Sequence, residues 1–135
     1  MPKKISRKGL INKLDRIFSE YIRKKNADKK GFVTCITSGN KHHYSEVDAG
    51  HFISRKEMST RWHEDNVWPQ SRFDNRFRYG RQYVYSLALE KKKPDLPKYL
   101  YNLSKKTVKY SVSDLEEMVD KYKNLLEKEN KRLSL

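Results

Sequence analysis

Cysteine occurs once in this chain, at Cys35, so no internal disulfide can form, and a reducing cytoplasm is the expected compartment. No apolar run approaches the ~20 residues that a membrane span requires. The opening MPKKISRKGLINKLDRIF has no continuous apolar core of a secretory signal, so neither membrane nor export is expected. Apolar residues are also scarce, at 36% of 135, equal to the charged fraction. The chain can therefore fill one modest core under a heavily ionised surface. No internal repeat or low-complexity tract interrupts it.

Acidic residues are the minority among the charges, 17 against 31 Lys and Arg, leaving a net +14. The excess is uneven. Residues 1–30 carry 11 basic and 3 acidic residues, a net +8; residues 31–80 carry 7 and 6, a net +1; residues 81–135 carry 13 and 8, a net +5. Basic flanks around a nearly neutral middle suit a polyanion gripped at the sides while the centre does chemistry. A lysine-rich surface kept for solubility is the bland alternative.

Apolar residues at Leu10, Ile11, Leu14, Ile17, Phe18, Tyr21 and Ile22 predict one helix face between Ser6 and about Ala27. Phe32–Thr37 followed by Ser38-Gly39-Asn40-Lys41 predicts a hairpin that returns through His42-His43-Tyr44. Residues 54–66 read as a loop, and Val67-Trp68 as a short strand stopped by Pro69. Ser71, with Asp74 three residues on, reads as the N-cap of a helix running past Gly80 to Lys93. Pro94 and Pro97 mark a linker, and a last helix starts at Ser113 with Glu116 completing a capping box. Its stripe of Leu115, Met118, Val119, Tyr122, Leu125, Leu126, Glu129 and Leu133 reads first as core, with a homodimer seam as the alternative. The fold class is α+β, divided as a basic N-terminal helix (1–30), a core (31–93), and a linker with a C-terminal amphipathic helix (94–135).

Four polar residues in the middle segment stand at telling intervals. Asp48 precedes His51 by three positions, Asn66 follows His51 by fifteen, and Asn75 follows Asn66 by nine. Hydrolysing a phosphodiester requires a deprotonated water, neutralised charge on the phosphorane, and help for the leaving oxygen. A neutral histidine can take the water's proton near pH 7. A hard cation such as Mg²⁺ or Mn²⁺ wants oxygen ligands, which Asp48 and Asn75 supply, and Mg²⁺ typically takes only one or two from protein. Asn66 can orient the His51 ring or its loop. Taken singly, each has a duller reading, as a structural histidine, a turn residue or a surface amide. Jointly they read as a one-metal nuclease acting on DNA, with Arg16, Arg23, Lys24, Lys25, Arg55, Arg61, Arg72, Arg76 and Arg78 as candidate phosphate contacts.

The spacing His–x14–Asn–x8–Asn resembles the HNH branch of the His-Me finger nucleases. More closely, AGHFISR, TRW, EDNVWPQ and DNRFRYG, within about Ile5 to Lys92, are similar to the phage NinG (Rap) recombination endonuclease family. That resemblance implies a ββα-metal core, cleavage of branched or duplex DNA, and a host-cell cytoplasmic location. It assigns His51 as general base, Asn66 as the orienting residue and Asn75 as a helix-borne metal ligand. Asp48 becomes the second ligand by similarity to Holliday-junction resolvases of the endonuclease VII type, since the position directly before the base is Gly50.

One departure from the family is informative. The usual two CxxC pairs would fall at Cys35/Ser38 and Ser71/Asp74, so one thiolate of four remains and structural zinc is not expected, even with His42 and His43 nearby. Aromatic packing by Phe32, Trp62, Trp68, Phe73 and Phe77 is the expected replacement. The loss also raises an alternative function, a catalytically silent DNA-binding or assembly protein on the same scaffold. A small helical nucleic-acid module whose motif match is accidental is a third reading.

Overall fold

Ser6 caps the first helix by accepting a hydrogen bond from the Gly9 amide, and α1 runs Arg7–Lys25. Its apolar stripe buries Leu10, Leu14, Phe18, Tyr21 and Ile22, and the cluster Arg23-Lys24-Lys25 sits in the last turn, where cations suit the helix dipole. In the computed structural model, which describes residues 4–135, two antiparallel two-stranded sheets and four further helices follow. Residues 1–3 of the basic N-terminal segment lie outside the described residues.

The expected hairpin forms between β1 (Phe32–Thr34) and β2 (Lys41–His43). The strand bearing the candidate base pairs elsewhere. A 3₁₀ turn at Tyr44–Glu46 redirects the chain into β3 (Val47–His51), whose partner is β4 (Val67–Ser71), with Asp48 opposite Gln70 and His51 opposite Val67. Pro69 does not stop β4 but sits inside it, opposite Ala49. Its carbonyl points away from β3 and accepts from the Ile36 amide, so the N–H that proline lacks falls outside the ladder.

The loop between β3 and β4 contains a single helical turn, α2 (Met58–Arg61). Beyond β4, the Ser71 hydroxyl caps the Asp74 amide as expected, but the long helix is broken. Phe73–Phe77 winds as a wide π turn, Tyr79, Gly80 and Arg81 all adopt left-handed backbone, and α3 begins anew at Gln82 and ends at Lys92. The expected linker after it is α4 (Leu96–Ser104), with Pro97 in its first turn, where proline is tolerated. The last helix, α5 (Val112–Arg132), starts two residues earlier than the sequence suggests, because Ser111 and Asp114 form the capping box in place of Ser113 and Glu116.

α5 lies parallel to α1: Arg7 donates to the Tyr110 carbonyl at one end, and Lys24 donates to Asn130 (2.6 Å) at the other. Leu115, Val119 and Tyr122 close over Leu14, Phe18 and Ile22, with Trp62 and Val67 completing this core. The α5 stripe therefore packs as intramolecular core. On the opposite face of the β3–β4 ribbon, Tyr85, Leu89, Leu96 and Leu100 make a second core with Phe52 and Trp68. Tyr85 anchors that layer by donating to the Gly50 carbonyl at 2.7 Å.

Candidate active site

β3 has one strand partner, and along its other side runs a groove of about 1130 Å³ that takes in Val47, Asp48, Ala49 and His51. α1 contributes Asp15 and Arg23 to one wall; the turn after β4 contributes Arg72, Asn75, Arg76 and Tyr79 to the other, and Arg55 and Tyr101 are among the remaining lining residues. Three of the four motif residues thus meet in one groove, with four of the nine candidate arginines and lysines.

The His51 Nε2–H donates to the Arg61 carbonyl at 2.9 Å. A carbonyl can only accept, so this bond fixes the tautomer and leaves Nδ1 as the basic nitrogen. Burial pushes the imidazole pKa below its ordinary value, and the charges of Arg55 and Arg61 push the same way against the Arg61 carbonyl and Asp15. His51 is accordingly neutral near pH 7.

Arg61 can offer that carbonyl because its loop is held from two sides. Asn66, fully buried, accepts from the Ile53 amide (2.8 Å) and donates to the Ile53 and Thr60 carbonyls (3.0 and 3.1 Å). Its side-chain hydrogen bonds go to the loop and none to the His51 ring. On the other side Asp15 receives the Arg61 guanidinium (3.0 and 2.5 Å) and the Trp62 indole N–H (2.9 Å). The sequence reading missed Asp15, which sits in an ordinary helical stretch with no local signal.

Across the groove, Asp48 accepts from the Asn75 amide at 2.9 Å and from Nε and Nη2 of the Arg76 guanidinium at 2.9 and 2.8 Å. Burial raises the Asp48 carboxyl pKa, but hydrogen bonds from Arg76 and Asn75, with the charges of Arg76 and Arg72, bring it below the usual carboxylate range. A cation therefore already rests on Asp48, supplied by an arginine whose side chain is more than half exposed. Asp48 and Asn75 suit a cation that takes few protein ligands; among the described residues no cluster of three or more His, Cys, Asp or Glu could hold a metal. Gly50, the position directly before His51, has no room for a ligating side chain, because its Cβ position is filled by the Gln70 side chain.

Two of the proposed phosphate contacts are structural cations instead. Lys24 is buried, held by Asn130 and by Glu20 at 3.4 Å, and Arg61 is locked on Asp15. Lys25 pairs with Glu64 at 2.7 Å, while Arg16 and Arg78 are exposed away from the groove lining. Arg23 and Arg72 line the groove and also brace the turn before β3, donating to the carbonyls of Tyr44 (3.2 Å) and Ser45 (3.0 Å).

The four positions of the expected metal knuckles converge around a single cysteine. The Cys35 sulfur accepts from the Ser38 and Ser71 amides (3.4 and 3.1 Å), and the Thr37 hydroxyl donates to buried Asp74 at 2.7 Å. Arg81 reaches the same carboxylate at 3.5 Å. A polar network, not aromatic packing, joins the two loops. Of the aromatics expected there, Phe32, Phe73 and Phe77 are exposed and Trp62 belongs to the α1–α5 core.

The family model described as Bacteriophage Lambda NinG protein matches residues 3–132, nearly the whole chain. The chain belongs to the NinG family. No curated protein and no solved structure gives a significant match. The NinG match spans α1, the groove and α5 together, so the parallel helix pair belongs to the family unit along with the motif.

Proposed function

We propose that this NinG-family protein is a metal-dependent DNA endonuclease that hydrolyses phosphodiester bonds in branched recombination or replication intermediates of phage DNA. The observation that carries the reading is the tautomer of His51, whose Nε2–H is committed to Arg61 while Nδ1 is left basic, in the groove that also holds Asp48 and Asn75. β3, β4 and the π turn bearing Asn75 would then be the ββα-metal unit of a His-Me finger nuclease.

In this scheme His51 Nδ1 takes a proton from water, the water oxygen bonds to phosphorus, and the P–O bond on the far side breaks, its electron pair going to the leaving oxygen, which takes a proton from solvent. Asp48 and Asn75 would hold a divalent cation, which supplies charge neutralisation at the phosphate when bound. Arg23, Arg55 and Arg72 grip neighbouring phosphates, and Arg76 can move from Asp48 to a phosphate oxygen. Asn66 and Asp15 keep the Arg61 carbonyl where it orients the base.

Plasmid nicking in Mg²⁺ or Mn²⁺, abolished by EDTA, tests the reading. His51→Ala should lose ~10²–10⁴-fold in rate and keep its DNA affinity, because the base acts on water and not on the phosphate grip. The bidentate Arg76–Asp48 pair favours the second reading, a silent DNA-binding protein, because it neutralises the carboxylate without a metal. DNA binding with no nicking in either metal would decide for that reading.

A further inference from the structure

Residues 72–81 combine four arginines with three large exposed rings. Phe73 is 61% exposed, Phe77 72% and Tyr79 90%, in a chain whose other apolar residues mostly find a core. The one acid of the segment, Asp74, is turned inward onto Thr37 and Arg81. The rings are organised: Phe73 and Phe77 stand with centroids 6.1 Å apart, and the Arg78 guanidinium lies 5.7 Å over Phe73. Tyr79 is held out by a left-handed backbone (φ 52°), an unfavourable state for an aromatic residue, followed by Gly80 and Arg81 in the same region. It also lines the groove beside Asn75.

We propose that Phe73, Phe77 and Tyr79 form a stacking face for unpaired DNA bases at a branch point, next to the proposed cleavage groove. The inference rests on the endonuclease reading and adds to it the feature of DNA that is selected. Stacking needs an accessible base face, which a fork or junction offers and continuous duplex does not. The interleaved Arg72, Arg76 and Arg78 meet the phosphates on either side of such a base. A second copy of the chain is a poor occupant: a two-fold contact would set these arginines against their own counterparts, with no exposed acid in the segment to offset them.

The test uses the full-length protein without added divalent metal, so cleavage does not intervene. The probes are a forked oligonucleotide carrying 2-aminopurine as an unpaired base at the branch and a linear duplex of matched length. The wild type should bind the fork more tightly and change the 2-aminopurine fluorescence. Phe77→Ala and Tyr79→Gly should each weaken fork binding roughly 5- to 150-fold while leaving duplex binding unchanged. Tyr79→Phe keeps the ring and should behave as wild type. Tyr79→Gly also relieves the left-handed strain, so its melting temperature should hold or rise, separating lost stacking from lost folding. Equal losses on both probes, or wild-type fork preference in the variants, would overturn the proposal. So would a wild-type dimer in sedimentation that Phe77→Ala dissolves. A wild type that binds neither probe would instead defeat the endonuclease reading itself.

Discussion

At the scale of single residues, the site depends on how the backbone carbonyl of Arg61 is held. Burial depresses the His51 pKa, so lowering the pH should protonate it only below the ordinary histidine value of ~6.5. The acid limb of a cleavage–pH profile should therefore have its midpoint below 6.5; a midpoint at or above it would mean that another group is the base. Stability carries the same sign. The unfolded chain takes up this proton first, so the His51 contribution is whole above about 6.5 and is lost as pH falls through the folded pKa. Asp15→Ala should act on the same quantity from a distance. It strands the Arg61 guanidinium and the Trp62 N–H, costing roughly 3 kcal/mol in melting experiments, and by loosening the Arg61 carbonyl it should also move the acid limb. A melting shift with an unchanged pH profile would make Asp15 purely structural. The spacing of Asp48, His51 and Asn75 was readable from the sequence because motif intervals survive without coordinates. Asp15 was not, since an acid in a basic amphipathic helix looks like any other solvated charge. Lys24 misled for a related reason: on a helix boundary, sequence charge cannot say whether the ammonium turns out to DNA or inward to Asn130.

Among the elements, the helices with clean apolar stripes were legible and the connections were not. α1 and α5 follow their 3.6-residue periodicity, and only the α5 cap moved, from Ser113 to Ser111. Pro69 lies within a strand because its missing N–H faces away from the ladder, a property of pairing that one strand's sequence does not contain. The helix expected through Gly80 fails because three consecutive residues turn left-handed; glycine signals only the middle one. The loops carrying Cys35/Ser38 and Ser71/Asp74 are the element whose logic tests most directly. Their hydrogen bonds should suffice without metal, so elemental analysis should find no stoichiometric zinc and chelator should leave the melting temperature unchanged. The combined Ser38→Cys, Ser71→Cys and Asp74→Cys variant should gain one tightly bound zinc and a chelator-sensitive melting temperature. Failure to bind zinc would show that the loops have moved beyond tetrahedral reach of one another.

For the whole molecule, the net +14 should appear as a steep salt dependence of DNA affinity. Each phosphate neutralised on duplex adds about −0.9 to the slope of log K against log salt. Reversing groove charges, as in Arg55→Glu with Arg72→Glu, should flatten the slope by about 2 of these increments. Lys24→Ala should leave the slope intact and lower the melting temperature, because its ammonium serves the α1–α5 contact. The opposite pattern would return Lys24 to the phosphate contacts.

The parallel pairing of α1 with α5 also sets an order of events during synthesis. α1 is made well before α5 and supplies Asp15 and Arg23 to the groove, yet its apolar stripe lacks its helical partner until α5 has left the ribosome. Contacts this far apart along the chain form slowly and late. The nascent polypeptide thus carries every motif residue well before α5 can cover α1, and whatever chemistry the groove performs is withheld until α5 has been made.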